Sequence, residues 1–247
     1  MLLIGIAVVL NRVPWLPDRL LDHALPGETV QHVLERAVHA ADRFEHLVRP
    51  RLLALTASHT AQLLNVSDLA APFQMTRQTI HDYVIVLERI FLIDRLPPWH
   101  RNRLSRLVKA PKLHMGDTGL ACALLGIDPL ALDRDRERLG PMLETFVLQE
   151  LRRQASWHPD PVDFFHYRDR DGFEVDIVLE RGSTSVAGVE VKAAASVVEA
   201  DLRGLRKLRD AAGRQFAAGV VLYDGASAVR FGGNLFAVPL RLLWGDP

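Results

Sequence analysis

Three charged residues on two consecutive apolar segments have the types and the spacing to hold a metal ion beside a phosphate. Asp176 lies within the segment Glu174–Leu179, and Glu190 and Lys192 follow in Glu-Val-Lys, the glutamate fourteen positions after the aspartate. Both segments predict β-strands, on which side chains alternate between faces, so Glu190 and Lys192 share one side, roughly 7 Å apart. If the two strands are adjacent, two carboxylates and one ammonium meet on one face of a sheet.

A divalent cation would relieve the repulsion between two such carboxylates. Mg²⁺ is typically bound through one or two carboxylates together with water and phosphate oxygens. A lysine beside the metal could orient the attacking water and stabilise charge on a phosphate in transfer. Charged residues also occur on the polar face of many half-buried strands, so the spacing alone leaves both interpretations open.

Several motifs taken together resemble a known family. An aspartate followed on the next strand by Glu-x-Lys resembles the PD-(D/E)xK nuclease superfamily, which has the restriction-endonuclease fold. The longer series resembles the C-terminal domain of unknown function attached to many bacterial and archaeal AAA-type ATPases. The motifs that carry this resemblance are Leu92–Trp99, Asp117–Leu120, Gly140–Leu151, Tyr167-Arg168, Glu174–Asp176 and Val189–Lys192.

The resemblance implies a DNA-associated protein with a metal-dependent nuclease-like domain, and a separate ATPase subunit as a partner. Transferred residue by residue, it makes Asp176 and Glu190 ligands of Mg²⁺ or Mn²⁺, Lys192 the catalytic lysine, and Glu144 a further metal ligand. The alternative is a catalytically inactive adaptor, regulatory or DNA-binding module of an ATPase system. The sequence contains no G-x-x-x-x-G-K-[ST] motif, so we do not expect ATPase activity.

Helical periodicity places two carboxylates inside the apolar arc of a helix predicted from about Pro141 to Gln154. They are Glu144 and Glu150. A carboxylate in a packed stripe requires a partner, and a metal ion or Lys192 would supply one for Glu144. Periodicity does not choose between the two glutamates, and only the resemblance favours Glu144.

The N-terminal half predicts a winged helix-turn-helix. Apolar residues recur at helical spacing from Glu28 to Leu64, and Ser67 and Thr76 are positioned to cap the two helices that follow. Phe91–Leu96 then predicts a strand. In this motif the N-terminal residues of the second helix face the bases. The residues that would contact the bases are Arg77, Gln78 and His81, the candidate readers of the DNA sequence.

A basic run follows this predicted motif. Residues 95–112 include no acid, and an aromatic residue and a histidine lie among the cations. Such a run could neutralise backbone phosphates, with Arg101, Arg103 and Arg106 as DNA contacts. Asp82, beside the candidate readers, would repel a polyanion, so a solvated or ATPase-facing linker is the alternative. The cations of the run are Arg95, Arg101, Arg103, Arg106, Lys109 and Lys112.

The C-terminal half predicts strands with helices on both sides, which is typical of a mixed α/β sheet. The predicted elements are strands Val162–Tyr167, Phe173–Glu180, Val186–Lys192 and Gly219–Tyr223, and a helix Asp201–Ala212. We therefore expect an α/β fold, α+β overall, with a winged helix before a restriction-endonuclease-like sheet. The expected division is an N-terminal remnant or tail at 1–27, a helical winged-helix domain at 28–112, and a nuclease-like domain at 113–247.

The composition of the chain says less about function than the motifs do. The 30 basic and 30 acidic residues balance, so net charge gives no argument for a nucleic-acid partner. The lone Cys122 excludes a disulfide within the chain and fits a reducing compartment, so we expect a cytoplasmic protein. The apolar run Met1–Leu10 is too short to span a bilayer, and no membrane association is expected.

Overall fold

The computed structural model describes residues 48–102, 110–182 and 184–244, with backbone only for residues 48–50. The described part is a mixed α/β structure, as the sequence predicts, with a three-stranded sheet and a six-stranded sheet. The predicted N-terminal remnant or tail at 1–27 lies outside the described residues. Among the described helices, none combines the length and the apolar character needed to cross a bilayer.

Three helices and three strands form the N-terminal part. The strands pair antiparallel in the order β1-β3-β2. The helices and the sheet enclose a core that includes Leu52, Ile80, Val84 and Met115. The elements are α1 (Val48–Ser58), β1 (Gln62–Leu63), α2 (Val66–Ala70), α3 (Arg77–Arg89), β2 (Ile93–Leu96) and β3 (Lys112–Met115).

The two predicted helix caps of this part have different outcomes. Thr76 caps α3, as predicted, because its side chain accepts the backbone N–H of Thr79. The prediction of Ser67 as a cap is wrong. Asn65 has the extended backbone of an N-cap residue, and its side chain accepts the N–H of Ser67, which therefore lies inside the first turn of α2.

Three further helices connect the two sheets. Asp117 caps the first of them, with its Oδ1 accepting the N–H of Leu120 at 2.6 Å. The third helix begins before the predicted start at Pro141, because Asp135 caps it by accepting the N–H groups of Glu137 and Arg138. These helices are α4 (Thr118–Leu125), α5 (Pro129–Arg134) and α6 (Arg136–Ala155).

The six-stranded sheet has the order β4-β5-β6-β7-β9-β8. β6, β7 and β9 run parallel, whereas the pairs β4–β5, β5–β6 and β8–β9 are antiparallel. Leu148 and Leu151 of α6 pack on one face, and Leu205 and Leu208 of α7 pack on the other. The elements are β4 (Asp163–Arg168), β5 (Glu174–Arg181), β6 (Ser185–Lys192), α7 (Arg203–Ala212), β7 (Phe216–Tyr223), β8 (Val229–Gly232) and β9 (Leu235–Pro239).

The segment after β2 joins the two sheets. The N–H of His166 in β4 donates to the carbonyl oxygen of Pro97 at 2.9 Å. The buried indole Nε1 of Trp99 donates to Glu180 Oε2 of β5 at 2.7 Å. The predicted boundary between residues 112 and 113 falls within β3, and the division into domains stays a prediction.

Candidate functional site

An irregularity in the large sheet positions Asp176. The register between β4 and β5 shifts between Phe165 and Tyr167, with one more residue on β5 than on β4. The pairing of β5 with β6 ends at Ile177, one residue away from Asp176. A bulge of this kind redirects a side chain. Here Asp176 Oδ2 accepts the N–H of Val191 at 3.0 Å, in the region where β5 and β6 are no longer paired.

Three carboxyl groups from three elements meet at this bulge. Glu190 of β6 is buried, and its side chain is hydrogen-bonded to that of Asp176. Glu144 approaches from α6. Its Oε1 lies 2.9 Å from Nζ of Lys112, which is also 3.2 Å from Asp176 Oδ1. The structure therefore brings together the three acidic residues that the sequence selected, and Glu144 rather than Glu150 is the glutamate of α6 that joins them.

The ammonium in the centre of the cluster is a residue that sequence reasoning assigned elsewhere. The sequence placed Lys112 in a basic run that could contact phosphates, but its side chain is only 5% exposed. Lys112 and His114 are two positions apart on the short strand β3, opposite in direction to the buried Leu113 and Met115. This alternation was the available signal that both residues face the same side.

Lys192, the expected catalytic lysine, has a different partner. Its Nζ lies 3.6 Å from Asp201 Oδ1, just before α7, and its side chain is 40% exposed. We expected a metal ion or Lys192 to be the partner of Glu144, but the observed partner is Lys112. The sequence did not reveal this pair because Lys112 lies 32 residues upstream of Glu144, on a strand outside the Glu-x-Lys motif.

Burial and the charges of Lys112 and Asp176 determine the pKa values of the carboxyl groups in the cluster. Burial, followed by the charge of Asp176, raises the pKa of Glu144 to about 8. The same two causes raise the pKa of Glu190 well above its ordinary value. Burial alone would also raise the pKa of Asp176, but the charge of Lys112 and hydrogen bonds from Glu190 and Val191 hold it below its ordinary value.

The ammonium is stabilised in turn. Burial by itself would lower the pKa of Lys112, but the carboxyl groups of Asp176 and Glu144 raise it above its ordinary value. These directions favour an ammonium at Lys112 and a carboxylate at Asp176, and they favour protonated carboxyl groups at Glu144 and Glu190. The ammonium of Lys112 therefore balances the charge of Asp176 inside the cluster.

His114 adds a buried imidazole at the edge of the cluster. Its Nδ1 lies 3.1 Å from Thr145 Oγ1. Its Nε2 is buried, has no hydrogen-bond partner among the described residues, and lies 3.8 Å from Glu144 Oε1. Burial, followed by the charge of Lys112, holds the pKa of His114 well below its ordinary value, so the ring is neutral at physiological pH.

As arranged, these donors do not fit a bound Mg²⁺ or Mn²⁺. A hard cation requires several oxygen atoms that can point at it, whereas both oxygens of Asp176 and Oε1 of Glu144 accept hydrogen bonds from Lys112 or Val191. In the part of the chain that the structure describes, no three histidine, cysteine or acidic side chains are grouped so as to hold a metal ion. The predicted metal therefore stays a prediction.

Glu150 lies elsewhere on α6. It is buried, and it accepts hydrogen bonds from Arg153 and from Gln154 Nε2, the latter at 3.0 Å. The two glutamates of the apolar arc thus have separate partners along the same helix, which periodicity could not predict.

Three of the candidate DNA-binding residues lie on α3, which contributes no residue to this cluster. Arg77 and Gln78 are exposed in the first turn of α3, and Gln78 Nε2 donates to Asp82 Oδ1 at 2.9 Å. His81 Nδ1 lies 3.8 Å from the same carboxylate oxygen. Arg101 is exposed, whereas Arg103 and Arg106 lie outside the described residues.

Two cations of the basic run have acidic partners within the protein instead of being available to bind phosphates. Arg95 forms an ion pair with Glu88, and Lys112 is buried against Glu144 and Asp176. Lys112 is therefore not available to a backbone phosphate, because its ammonium contacts carboxyl groups inside the protein.

Comparison with known families gives two matches, each to a family described as a domain of unknown function. Residues 139–243 match DUF4143, and residues 23–131 match DUF8612. The first match contains Glu144, Asp176 and Glu190, and the second contains Lys112. The cluster thus combines side chains from both matched regions.

Two similar proteins are described as uncharacterised, Mb2031c of Mycobacterium bovis and Rv2008c of Mycobacterium tuberculosis. Each is 32% identical over 143 residues, which is 58% of this chain and 31% of the relative. The chain therefore spans about a third of the mycobacterial relatives that it matches. Protein ExoD of Rhizobium meliloti is 40% identical over 55 residues, 22% of this chain and 23% of that protein.

A solved assembly of Thermococcus gammatolerans McrB AAA+ hexamers with bound McrC is 13% identical in sequence, with a TM-score of 0.30. The match covers 77% of this chain and 70% of that chain. A TM-score of this size carries no argument about function.

Proposed function

We propose that this chain is a non-catalytic accessory module of an AAA-type ATPase system, built on the framework of a PD-(D/E)xK nuclease. The observation that carries the proposal is the identity of the central cation. An ammonium from β3 lies between Glu144 and Asp176, and Lys192 is paired with Asp201. The acidic residues of the motif are thus together. The cation that they contact is Lys112, however, and the lysine of the motif is paired with an aspartate outside it.

The framework itself supports the nuclease-like part of the proposal. A mixed sheet flanked by α6 and α7 is what the family resemblance implies, and Asp176 and Glu190 come from adjacent strands of it. The resemblance implies that hydrolysis of a phosphodiester here would use a metal ion to generate a nucleophile or to stabilise developing charge. Lys112 already supplies a positive charge to these carboxyl groups, which lowers their electrostatic attraction for a divalent cation.

A nuclease assay tests the absence of catalysis. Purified wild type would be incubated with supercoiled plasmid, circular single-stranded DNA and RNA, in Mg²⁺ and in Mn²⁺. Asp176→Asn serves as the matched control, because it keeps the shape of the side chain and removes its charge. We expect no cleavage by the wild type above that control. Metal-dependent cleavage by the wild type that Asp176→Asn abolishes would instead establish the nuclease alternative.

The link to an ATPase rests on the family resemblance and requires a direct binding test. An AAA-type ATPase from the same genome would be mixed with this chain and analysed by sedimentation velocity, with and without ATP. The proposal predicts a co-sedimenting complex, and a changed rate of ATP hydrolysis when the chain is added. Independent sedimentation of both proteins with every such ATPase would contradict the accessory role.

DNA association is a second candidate function, favoured by the N-terminal part alone. The helices and strands follow the order α1-β1-α2-α3-β2-β3 with sheet order β1-β3-β2, which supports the proposal of a winged helix. Arg77 and Gln78 are exposed at the start of α3, where base contacts are made in that motif. Gel-shift affinity should then fall steeply with salt and weaken in Arg77→Ala, whereas a flat salt dependence would count against phosphate contact.

A further inference from the structure

We propose that the ammonium of Lys112 takes the place of a divalent cation, and that removing it converts this cluster into a divalent-cation site with Glu144, Asp176 and His114 as ligands. The inference deepens the proposed function and rests on it, because it explains how a nuclease-like cluster persists without metal. It assigns Lys112 as a positioning residue and names the chemistry that its side chain excludes.

The geometry of Lys112 is that of a cation held by a built site. Nζ lies within hydrogen-bond distance of carboxylate oxygens from two separate elements, α6 and β5. The lysine is fixed at its backbone as well, because β3 is the central strand of its sheet, and Lys112 is paired with Leu63 on one side and Leu96 on the other. A cation held this way keeps Glu144 and Asp176 close without help from solvent.

His114 is the independent observation that points to a ligand. A buried imidazole nitrogen without a hydrogen-bond partner costs free energy, and buried polar atoms in proteins are generally satisfied. Nε2 of His114 is such an atom, and it lies 3.8 Å from Glu144 Oε1. Nε2 can present a lone pair to a metal when Nδ1 carries the proton and donates a hydrogen bond to Thr145 Oγ1, which lies 3.1 Å away.

The ligand class follows from the donor types. Carboxylate oxygens suit Mn²⁺, and an imidazole suits Zn²⁺. The carboxyl group of Glu144 would lose its proton when it binds either ion. Loss of the Lys112 side chain would leave the carboxyl groups and the imidazole around an unfilled space and remove the only ammonium in contact with Glu144 or Asp176 among the described residues. A divalent cation could then bind there and replace the lost positive charge.

Isothermal titration calorimetry with MnCl₂ tests the inference on wild type, Lys112→Ala, and Lys112→Ala combined with Asp176→Asn or with His114→Asn. We expect no saturable binding by the wild type and binding of one Mn²⁺ by Lys112→Ala. Each added ligand substitution should weaken that binding, by at least the ~10-fold typical of losing a metal's supporting partner. Absence of one-to-one binding by Lys112→Ala, or binding by the wild type that Asp176→Asn abolishes, overturns the inference.

Folding of the variant needs its own control, because loss of the ammonium leaves carboxyl groups without a counter-ion. Lys112→Met keeps the aliphatic volume, and both variants would be followed by circular dichroism in EDTA and in Mn²⁺. The inference predicts that Mn²⁺ raises the melting temperature of either variant, or refolds it if it is unfolded in EDTA. Variants that remain unfolded or unshifted in Mn²⁺ contradict the inference.

These outcomes separate the inference from the proposed function. Cleavage of nucleic acid by the wild type would end the accessory proposal through the nuclease assay. A wild type that neither cleaves nor binds Mn²⁺, with a Lys112→Ala variant that also fails to bind it, would overturn only the assignment of Lys112 as the replacement for a metal.

Discussion

The surroundings of Lys112 and of Lys192 show how differently one residue type behaves in two regions of this molecule. Lys112 is 5% exposed and contacts two carboxyl groups from separate elements. Lys192 is 40% exposed and has one acidic partner at 3.6 Å, Asp201. The motif lysine therefore lies at the surface, and a lysine outside the motif controls the charge of the cluster.

Burial, rather than membership of the motif, thus decides which lysine balances the charge of the acidic residues. A surface ion pair is screened by water and contributes about 0–1 kcal/mol. A buried ion pair leaves an uncompensated charge when one partner is removed, which typically costs about 3–5 kcal/mol. Substitutions at Lys112 and Lys192 test this contrast, and those at Gly204 and Glu144 test the packing and the protonation of the acidic cluster.

The largest effect is expected for Lys112→Met. Removing the ammonium leaves Asp176 and Glu144 buried without a cation, so we expect the free energy of unfolding to fall by about 3–5 kcal/mol. Urea denaturation of the wild type and the variant measures this change. A loss below about 1 kcal/mol would show that the Lys112 pair is no more important than a surface pair.

Gly204→Ala tests the fit between α7 and the acidic cluster. A Cβ at Gly204 would lie 1.8 Å from the carbonyl oxygen of Glu174 and 2.9 Å from Glu190 Oε1. We therefore expect destabilisation of about 1–3 kcal/mol from overpacking. The matched control is Gly140→Ala in α6, where a Cβ meets nothing within 4 Å. That variant should be stabilised by up to about 1 kcal/mol, and equal effects in urea denaturation would contradict the expected contact.

The pH dependence of stability should report the raised pKa of Glu144, about 8 in the folded protein against 4.5 for its ordinary value. Between these values the folded state binds more protons than the unfolded chain, so this carboxyl group makes the protein less stable as the pH rises. Its contribution is at most about 1.4 kcal/mol per pH unit. Glu144→Gln should remove it.

Urea denaturation at several pH values from 5 to 8 measures this slope in both proteins. The wild type should lose stability relative to Glu144→Gln as the pH rises through this window. Parallel curves would show that Glu144 is ionised in the folded protein throughout the window.

The smallest effect is expected for Lys192→Met. The side chain is partly exposed and has a single partner at 3.6 Å, so we expect a change of about 0–1 kcal/mol, reduced further by salt. Denaturation at low and at high ionic strength measures it. A loss as large as that of Lys112→Met would remove the contrast between the two regions.

The sequence predicted much of the framework because strong local patterns determined it. The alternation in Val186–Lys192 and the apolar run Gly219–Tyr223 correspond to β6 and β7, and Leu205 and Leu208 of the predicted helix 201–212 lie in α7 and pack on the sheet. Thr76 caps α3 as predicted. These features depend on residues close together in the chain.

The centre of the site was not predicted, because long-range contacts produce it. The bulge that redirects Asp176 depends on the register of β4 against β5, which no local pattern of β5 specifies. Lys112 reaches Asp176 across 64 positions of sequence. The residue type of Lys112 does not distinguish it from its basic neighbours in residues 95–112. Only the three-dimensional structure shows that it lies on a paired strand and is buried.

The replacement of a metal ion by Lys112 can be tested in a crystal of the wild type grown in MnCl₂, by collecting anomalous diffraction data. We expect no manganese peak between Asp176 and Glu144, and an ammonium of Lys112 within hydrogen-bond distance of both. An anomalous peak coordinated by Asp176 and Glu190, with Lys112 displaced from the carboxyl groups, would contradict this replacement.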